Sequence, residues 1–249
     1  HSELRFLVTL AKESGELNGI LGGSHVEVHP FCFDRSPNEK EYSADIYPED
    51  VAQILYTSGT TGRKKGVVLT HRNILENVKG CIERFKVRQD DCIPALLPYS
   101  HAYSLTASVM VPLYTGTKLA AGNVKDTSLG ELLRAVRPTF LVGVPRMYEA
   151  MLVKIERYAA KEGIAESLDK ALGVVEAVKN WTGLNIGRLV FRKLHKKLFG
   201  GTQLRFCISG GARLCPDTAL RFMKMGIPLL QGWGTTELSP VATVQEYSP

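Results

Sequence analysis

No apolar run in the 249-residue sequence approaches the roughly 20 residues needed to cross a bilayer, and no basic stretch near the N-terminus leads into a sustained apolar one. Neither a membrane-spanning helix nor a secretory leader is therefore expected. Cysteine is scarce: Cys32, Cys81, Cys92, Cys207 and Cys215 are odd in number, scattered and free of any C-x-x-C, which argues against a disulfide framework and a zinc knuckle. These absences fit a soluble, cytoplasmic protein. RNA-binding aromatic motifs and zinc-finger spacings are also missing, so nucleic acid is not expected as a partner. The formal charge of +6 is left to favour nucleotide phosphates or an acidic lipid surface.

What is present is enough apolar material, 44% of residues, for a large α/β domain or two packed subdomains. Residues 1–50 read as an N-terminal segment without clear assignment: a short helix near Leu4–Lys12, a strand over Val26–Phe33, then a polar linker. His25, Glu27 and His29 would share one face of that strand, but no fourth ligand is evident, so turns around Asn18-Gly19 and Gly22-Gly23 are preferred to a metal site. From Val51, β-rich apolar runs alternate with segments of helical period, predicting an α/β fold with largely parallel sheets flanked by helices. Strands are expected at Val51–Tyr56, Gly66–Leu69, Cys92–Leu97, Thr117–Ala121, Thr139–Val142, Leu204–Ser209 and Ile227–Leu230.

Between the strands, Ile74, Val78, Ile82 and Phe85 define one apolar helix face, and Met147, Met151, Ile155 and Tyr158 define another on a helix opened by Pro145. A longer helical tract over 166–199 carries Leu168, Leu172, Val175, Ile186, Leu189, Val190, Leu194 and Leu198, and stops at Gly200-Gly201. Its outer face bears Arg188, Arg192, Lys193, Lys196 and Lys197. Without aromatics beside them, these cations read as a solvated helix surface in preference to a membrane contact.

The most informative stretch is Tyr56-Thr57-Ser58-Gly59-Thr60-Thr61-Gly62-Arg63-Lys64-Lys65-Gly66. Glycines let the backbone turn and approach a ligand, hydroxyls donate to phosphate oxygens, and cations neutralise them. Lys64 stands five residues after Gly59, where the common NTPase loop has glycine, and a β-like run follows in place of a helix, so a strand–loop–strand clamp on polyphosphate is implied. Further on, Leu204–Ser209 alternates as a strand, Gly210-Gly211-Ala212 breaks it, Pro216 opens a helix, Gly226 closes it and Ile227–Leu230 begins the next strand. In such a βαβ unit the loops Ser209–Ala212 and Gln231–Gly234 meet at the carboxyl edge of the sheet, where ligands bind. Gln231-Gly232-Trp233-Gly234-Thr235-Thr236-Glu237 offers a flat ring, glycines, hydroxyls and a carboxylate there. On these residues alone Glu237 reads as a carboxylate at a helix start in preference to a ligand for a hard cation.

Residues 56–66, with Thr70-His71-Arg72-Asn73 after them, resemble the phosphate-loop signature of the adenylate-forming superfamily, with Lys64 replacing its usual proline. Gly210, Gly211 and Ala212 are similar to its adenine-side loop, with Arg213 in place of proline, and residues 231–237 to its adenine and magnesium motif, with Trp233 in place of tyrosine. The resemblance covers about residues 50–245. It implies an ATP-binding core over 51–249, part of the large N-terminal domain of such an enzyme, with the small C-terminal domain absent and the isolated chain inactive or nearly so.

The resemblance further implies that Thr57, Ser58, Gly59, Thr60, Thr61, Gly62 and Lys65 hold the β- and γ-phosphates of ATP. Trp233 would line the adenine pocket with Gly210, Gly211, Ala212, Gln231, Gly232, Gly234 and Thr235; Thr236 would bond the α-phosphate and Glu237 hold Mg²⁺. The implied catalytic set is Thr61, Lys65, His101, Thr236 and Glu237. Leu97-Pro98-Tyr99-Ser100-His101-Ala102-Tyr103 is similar to the segment bordering the acyl pocket, which moves His101 from a structural histidine to one beside the substrate carboxylate. Val144–Glu149 and the tract to Gly201 resemble the long-chain fatty acyl-CoA synthetase branch. The implied substrates are a fatty acid, ATP and coenzyme A, with peripheral membrane contact as a further option. Aryl-acid or acyl-carrier-protein ligation and a non-catalytic nucleotide-binding module are the alternatives.

Overall fold

A computed structural model of the chain describes residues 6–10, 27–31, 45–57, 64–121 and 128–247. The chain divides into two compact units, His1–Ile46 and Tyr47–Pro249. In the first, β1 (Phe6–Leu10) and β2 (Glu27–Phe31) pair in parallel. The helix expected over Leu4–Lys12 is thus replaced by a strand. Phe-Leu-Val-Thr-Leu is β-branched and aromatic, and its pairing with β2 outweighs the helical spacing of its apolar residues. His25 lies outside the described residues, as do the side chains of Glu27 and His29.

The second unit is built on a sheet whose strands are ordered β10-β9-β8-β7, with β7 (Phe140–Gly143), β8 (Phe206–Ser209) and β9 (Leu229–Trp233) parallel and β10 (Thr243–Val244) antiparallel at the edge. A parallel pair, β5 (Cys92–Ala95) and β6 (Lys118–Ala121), is tied to the sheet where Thr139 N donates to the Cys92 carbonyl at 3.0 Å. β3 (Val51–Thr57) and β4 (Lys65–Thr70) form an antiparallel hairpin. The parallel strands with helical crossovers meet the α/β expectation.

Strand alternation sends side chains to two cores. Leu141, Cys207 and Leu229 face one, where α4 (Leu129–Val136), α5 (Pro145–Lys161), α6 (Ala165–Thr182), α8 (Arg192–Phe199) and α9 (Pro216–Lys224) contribute Leu133, Tyr148, Leu172, Phe199 and Phe222. Phe140, Val142, Ile208 and Leu230 face the other, packed against Ile74, Val78, Cys81 and Phe85 of α1 (His71–Phe85). Each such fully buried side chain contributes about 1.5–3 kcal/mol. Helices on both faces of a parallel sheet leave its carboxyl edge as the open place for a ligand.

α1 begins where the sequence predicts, and Thr70 and Asn73 explain why: the Thr70 hydroxyl accepts from Asn73 N at 3.2 Å and Asn73 Oδ1 accepts from Thr70 N at 3.0 Å, a reciprocal cap. α5 is rotated from expectation. Tyr148, Met151, Leu152, Ile155 and Ala159 form its buried face, while Tyr158 is exposed with Lys197 Nζ 3.1 Å from its ring centroid. The Tyr148 hydroxyl donates to the Leu141 carbonyl at 2.6 Å, which draws this ring inward. The tract over 166–199 is three helices, not one, because Gly183 turns the chain at φ +75° and α7 (Gly187–Val190) ends at Phe191 before α8. Leu189 and Val190, expected on the apolar face, are exposed in this arrangement.

At the strand bases, Asp91 is 2% exposed and accepts from Arg205 Nη1 at 2.6 Å and Arg88 N at 2.7 Å. Arg205 Nη2 also donates to the Phe85 and Lys86 carbonyls, so one ion pair joins the end of α1 to the start of β8.

Candidate functional site

The β8–α9–β9 crossover brings its two loops together at the carboxyl edge. β8 and β9 run in register as far as Ser209 opposite Gln231, so Gly210-Gly211 and Gly232–Thr236 emerge side by side. Both loops need glycine. A Cβ on Gly210 would come within 2.8 Å of the Tyr103 ring, and one on Gly234 would lie 1.7 Å from the Pro240 carbonyl oxygen, which is backbone and cannot swing away. Gly211 holds φ +81°.

Behind these loops opens a cavity of about 510 Å³, a volume ordinary for a small-molecule site. Its mouth is lined by His101, Gly210, Gly211 and Gly232 through Thr236, and its walls by Phe85, Ile93, Val111, Phe140, Val142 and Ile208 among others. The mouth is polar and rich in exposed backbone; the interior is apolar. α2 (Ala102–Leu105), a π turn over Thr106–Met110 and α3 (Val111–Thr115) form one side of it, and such π turns recur at functional sites. Cys81 also faces the cavity, with burial pushing its thiol up to about 11, so it is an inert wall and not a nucleophile.

Tyr103 was not singled out by the sequence. Its ring covers Gly210, its hydroxyl donates to the Ile208 carbonyl at 3.1 Å, and burial drives its pKa well above the ordinary phenol range. The Tyr148 hydroxyl approaches the same carbonyl oxygen at 3.1 Å. The two tyrosines thus fix the last turn of β8 from opposite faces.

Glu237 lies just outside the cavity, in a three-residue 3₁₀ turn, Thr236–Leu238. Its pKa is lowered first by its own backbone N–H, then by the Thr235 hydroxyl, with the Lys65 charge adding to both. Thr235, expected on the nucleotide, therefore turns its hydroxyl onto Glu237, and it lines the cavity mouth together with Thr236. Lys65 is opposite Thr57 in the β3–β4 register, and the hairpin brings its charge to act on Glu237. Ser58, Gly59, Thr60, Thr61, Gly62 and Arg63 lie outside the described residues.

Two expected residues are elsewhere. Ala212 is exposed beyond the cavity lining. Gln231 lies on the opposite side of β9, in a groove bordered by α6 and α9, because a strand sends successive side chains to opposite faces. Among the described residues no three His, Cys, Asp or Glu side chains gather to hold a metal. A hard cation at Glu237 would need phosphate oxygens as partners, which is how Mg²⁺ is usually held. An exposed, ionised carboxylate beside a cavity mouth fits that chemistry.

Asn77 on α1, another residue the sequence did not mark, clamps the far side of this turn. Its Nδ2 donates to the Leu238 carbonyl at 3.1 Å and the Val241 carbonyl at 2.7 Å, and its Oδ1 accepts from Val241 N at 3.2 Å. Losing hydrogen bonds to groups left unsatisfied costs about 1–3 kcal/mol. Asn77→Ala is expected to weaken metal–nucleotide binding about tenfold in a chain that still folds, with Asn77→Asp intermediate, since it keeps the acceptor. Titration with a non-hydrolysable ATP analogue measures this, and unchanged affinity would show that the clamp does not position the site.

Residues 2–249 match the family model described as "AMP-binding enzyme". Over 201 residues the chain is 35% identical to long chain acyl-CoA synthetase 6, peroxisomal, of Arabidopsis thaliana, covering 78% of this chain and 28% of that protein. It is 32% identical over 221 residues to long-chain-fatty-acid–CoA ligase 1 of Schizosaccharomyces pombe, covering 80% and 31%. The first relatives it matches are spanned over only 28–37% of their own lengths. Its fold is similar to ATP-bound MatB of Rhodopseudomonas palustris, with a TM-score of 0.67 at 24% identity, covering 98% of this chain and 42% of that one.

Proposed function

The chain belongs to the AMP-binding enzyme family, and from that premise we propose that it is the nucleotide-binding core of an ATP-dependent ligase that converts a long-chain fatty acid to its acyl-CoA thioester. The observation that carries this reading is the single cavity with two chemistries: glycine loops, Trp233 and Thr236 at the mouth, apolar side chains within. A nucleotide suits the first and an alkyl chain the second.

The reaction has two steps. A carboxylate oxygen attacks the α-phosphorus of ATP, the bond to pyrophosphate breaks, and an acyl-adenylate forms. A thiol sulfur then attacks the acyl carbon, AMP leaves, and the thiol proton is lost. Residues 57–62 and Lys65 bind the β- and γ-phosphates, the Thr236 hydroxyl donates to the α-phosphate, and Trp233 offers its face to adenine. His101 at the mouth holds the substrate carboxylate where the two halves of the cavity meet. Mg²⁺ bound at Glu237 supplies neutralisation of charge building on the phosphates. The Thr235 hydroxyl and the Asn77 clamp keep the Glu237 carboxylate aimed outward, and positioning of this kind is where phosphoryl-transfer enzymes find most of their rate.

A panel of acids, assayed by pyrophosphate release and thioester formation in the protein with its complete chain, tests the reading. Saturated long-chain acids with CoA are expected to be the preferred pair. Preference for aryl acids, or for a carrier protein as acceptor, would contradict it.

A further inference from the structure

Between Glu176 and Asp217 the sequence holds eight Lys and Arg residues and no Asp or Glu. The structure concentrates this charge imbalance. The three acidic residues of α6 face cations of their own, Glu166 with Lys170 at 2.7 Å, Asp169 with Arg221 at 3.0 Å and Glu176 with Lys224 at 2.8 Å. Among the described residues no carboxylate pairs with Arg188, Arg192, Lys193 or Lys196.

Three large apolar side chains are exposed close in sequence to these cations. Trp181 is 88% exposed in the last turn of α6, Leu184 is 67% exposed just after Gly183, and Leu189 is 74% exposed on α7. Leu184 and Leu189 border one shallow depression together with Arg188 and Arg192. The sequence reading of a solvated basic helix face assumed no aromatic beside it. Trp181 removes that premise.

We propose that the α6–α8 corner is a docking surface for an anionic lipid bilayer, with Trp181, Leu184 and Leu189 entering the interface and Arg192, Lys193 and Lys196 on the headgroups. Charge selects the partner's sign, and the apolar tips select its class. Cations near an anionic leaflet contribute about 1 kcal/mol each, and tryptophan and leucine partition into the interfacial zone. A nucleic acid would satisfy the cations but leave two exposed leucines in water. The inference does not depend on the nucleotide reading, since none of these residues lines the cavity.

Co-sedimentation of the chain with phosphatidylcholine vesicles, with and without phosphatidylglycerol, tests it. Binding is expected only with the anionic lipid and is expected to weaken as salt rises. Two variants divide the contributions: Trp181→Ser with Leu189→Ser removes insertion, and Arg192→Glu with Lys193→Glu reverses charge. Each should lower partitioning at least about tenfold while nucleotide affinity stays unchanged. The proposal is overturned by absence of binding to anionic vesicles, by full binding of either variant, or by tighter binding to RNA than to vesicles. It is equally overturned if Trp181 fluorescence in the complete protein resists aqueous quencher without lipid, since another part of the polypeptide would then cover the patch.

Discussion

Replacing Glu237 with glutamine is expected to slow pyrophosphate release by about 10²–10³-fold while changing nucleotide affinity only severalfold. The substitution keeps shape and removes charge. In the native turn the carboxylate is held below its ordinary value of 4.5 by its own N–H, by Thr235 and by the nearby Lys65 charge. A group with a depressed pKa stays ionised as pH falls through the ordinary carboxylate range and is lost only below it. Glu237 should therefore contribute no acid limb to activity above that range. Because charge at the transferring phosphates grows toward the transition state, a neutral amide there should cost turnover more than ground-state binding. Kinetics on the complete protein with Gln at this position decides the point, and a normal rate would sink the assignment of Glu237 to the cation.

The second large effect lies away from the cavity. Asp91→Ala is expected to destabilise the Tyr47–Pro249 unit by about 3–5 kcal/mol, because it leaves the Arg205 guanidinium partly buried without its counter-charge. For a unit of this size that corresponds to a fall in Tm of roughly 6–20 °C. The Arg205 guanidinium carbon also lies 5.0 Å from the Phe140 ring centroid and 5.7 Å from that of Phe206, contacts it would forfeit by turning to water. Thermal unfolding followed by circular dichroism measures the loss; a shift of only a degree or two would mean that solvent reaches the pair. The consequence for function is indirect: this ion pair anchors the start of β8, whose other end carries Gly210.

The β3–β4 hairpin and the β8–α9–β9 crossover were readable because their signals are local. Glycine and hydroxyl residues interrupt two alternating runs in one case, and Pro216 and Gly226 bracket a helix in the other. The meeting of Gly210 with Gly232–Thr236 followed from topology alone, since parallel strands joined by a crossover share an edge. Periodicity located α5 but not its rotation: a spacing of three to four admits Met147 and Tyr158 as readily as Tyr148 and Ala159. What chose between them was the hydrogen bond from the Tyr148 hydroxyl to the Leu141 carbonyl of β7, which spacing along the helix does not encode.

Asn77 and Tyr103 were illegible for a similar reason. Each acts through backbone carbonyls, and a carbonyl leaves no mark in sequence. Trp181 was passed over because its exposure at the end of α6 depends on the break at Gly183, which a continuous helical reading erased. Among the described residues the strand at Phe6–Leu10 is defined by its pairing with β2, which leaves no local signal in the sequence.

The measurement that bears most directly on the account is calorimetric titration of this chain with Mg²⁺ and a non-hydrolysable ATP analogue, alongside Lys65→Ala. Saturable binding that weakens at least about tenfold in the variant is the predicted result, since a charge-assisted phosphate contact is removed. Absence of binding in a chain shown by circular dichroism to be folded, or binding indifferent to Lys65→Ala, would contradict the nucleotide site.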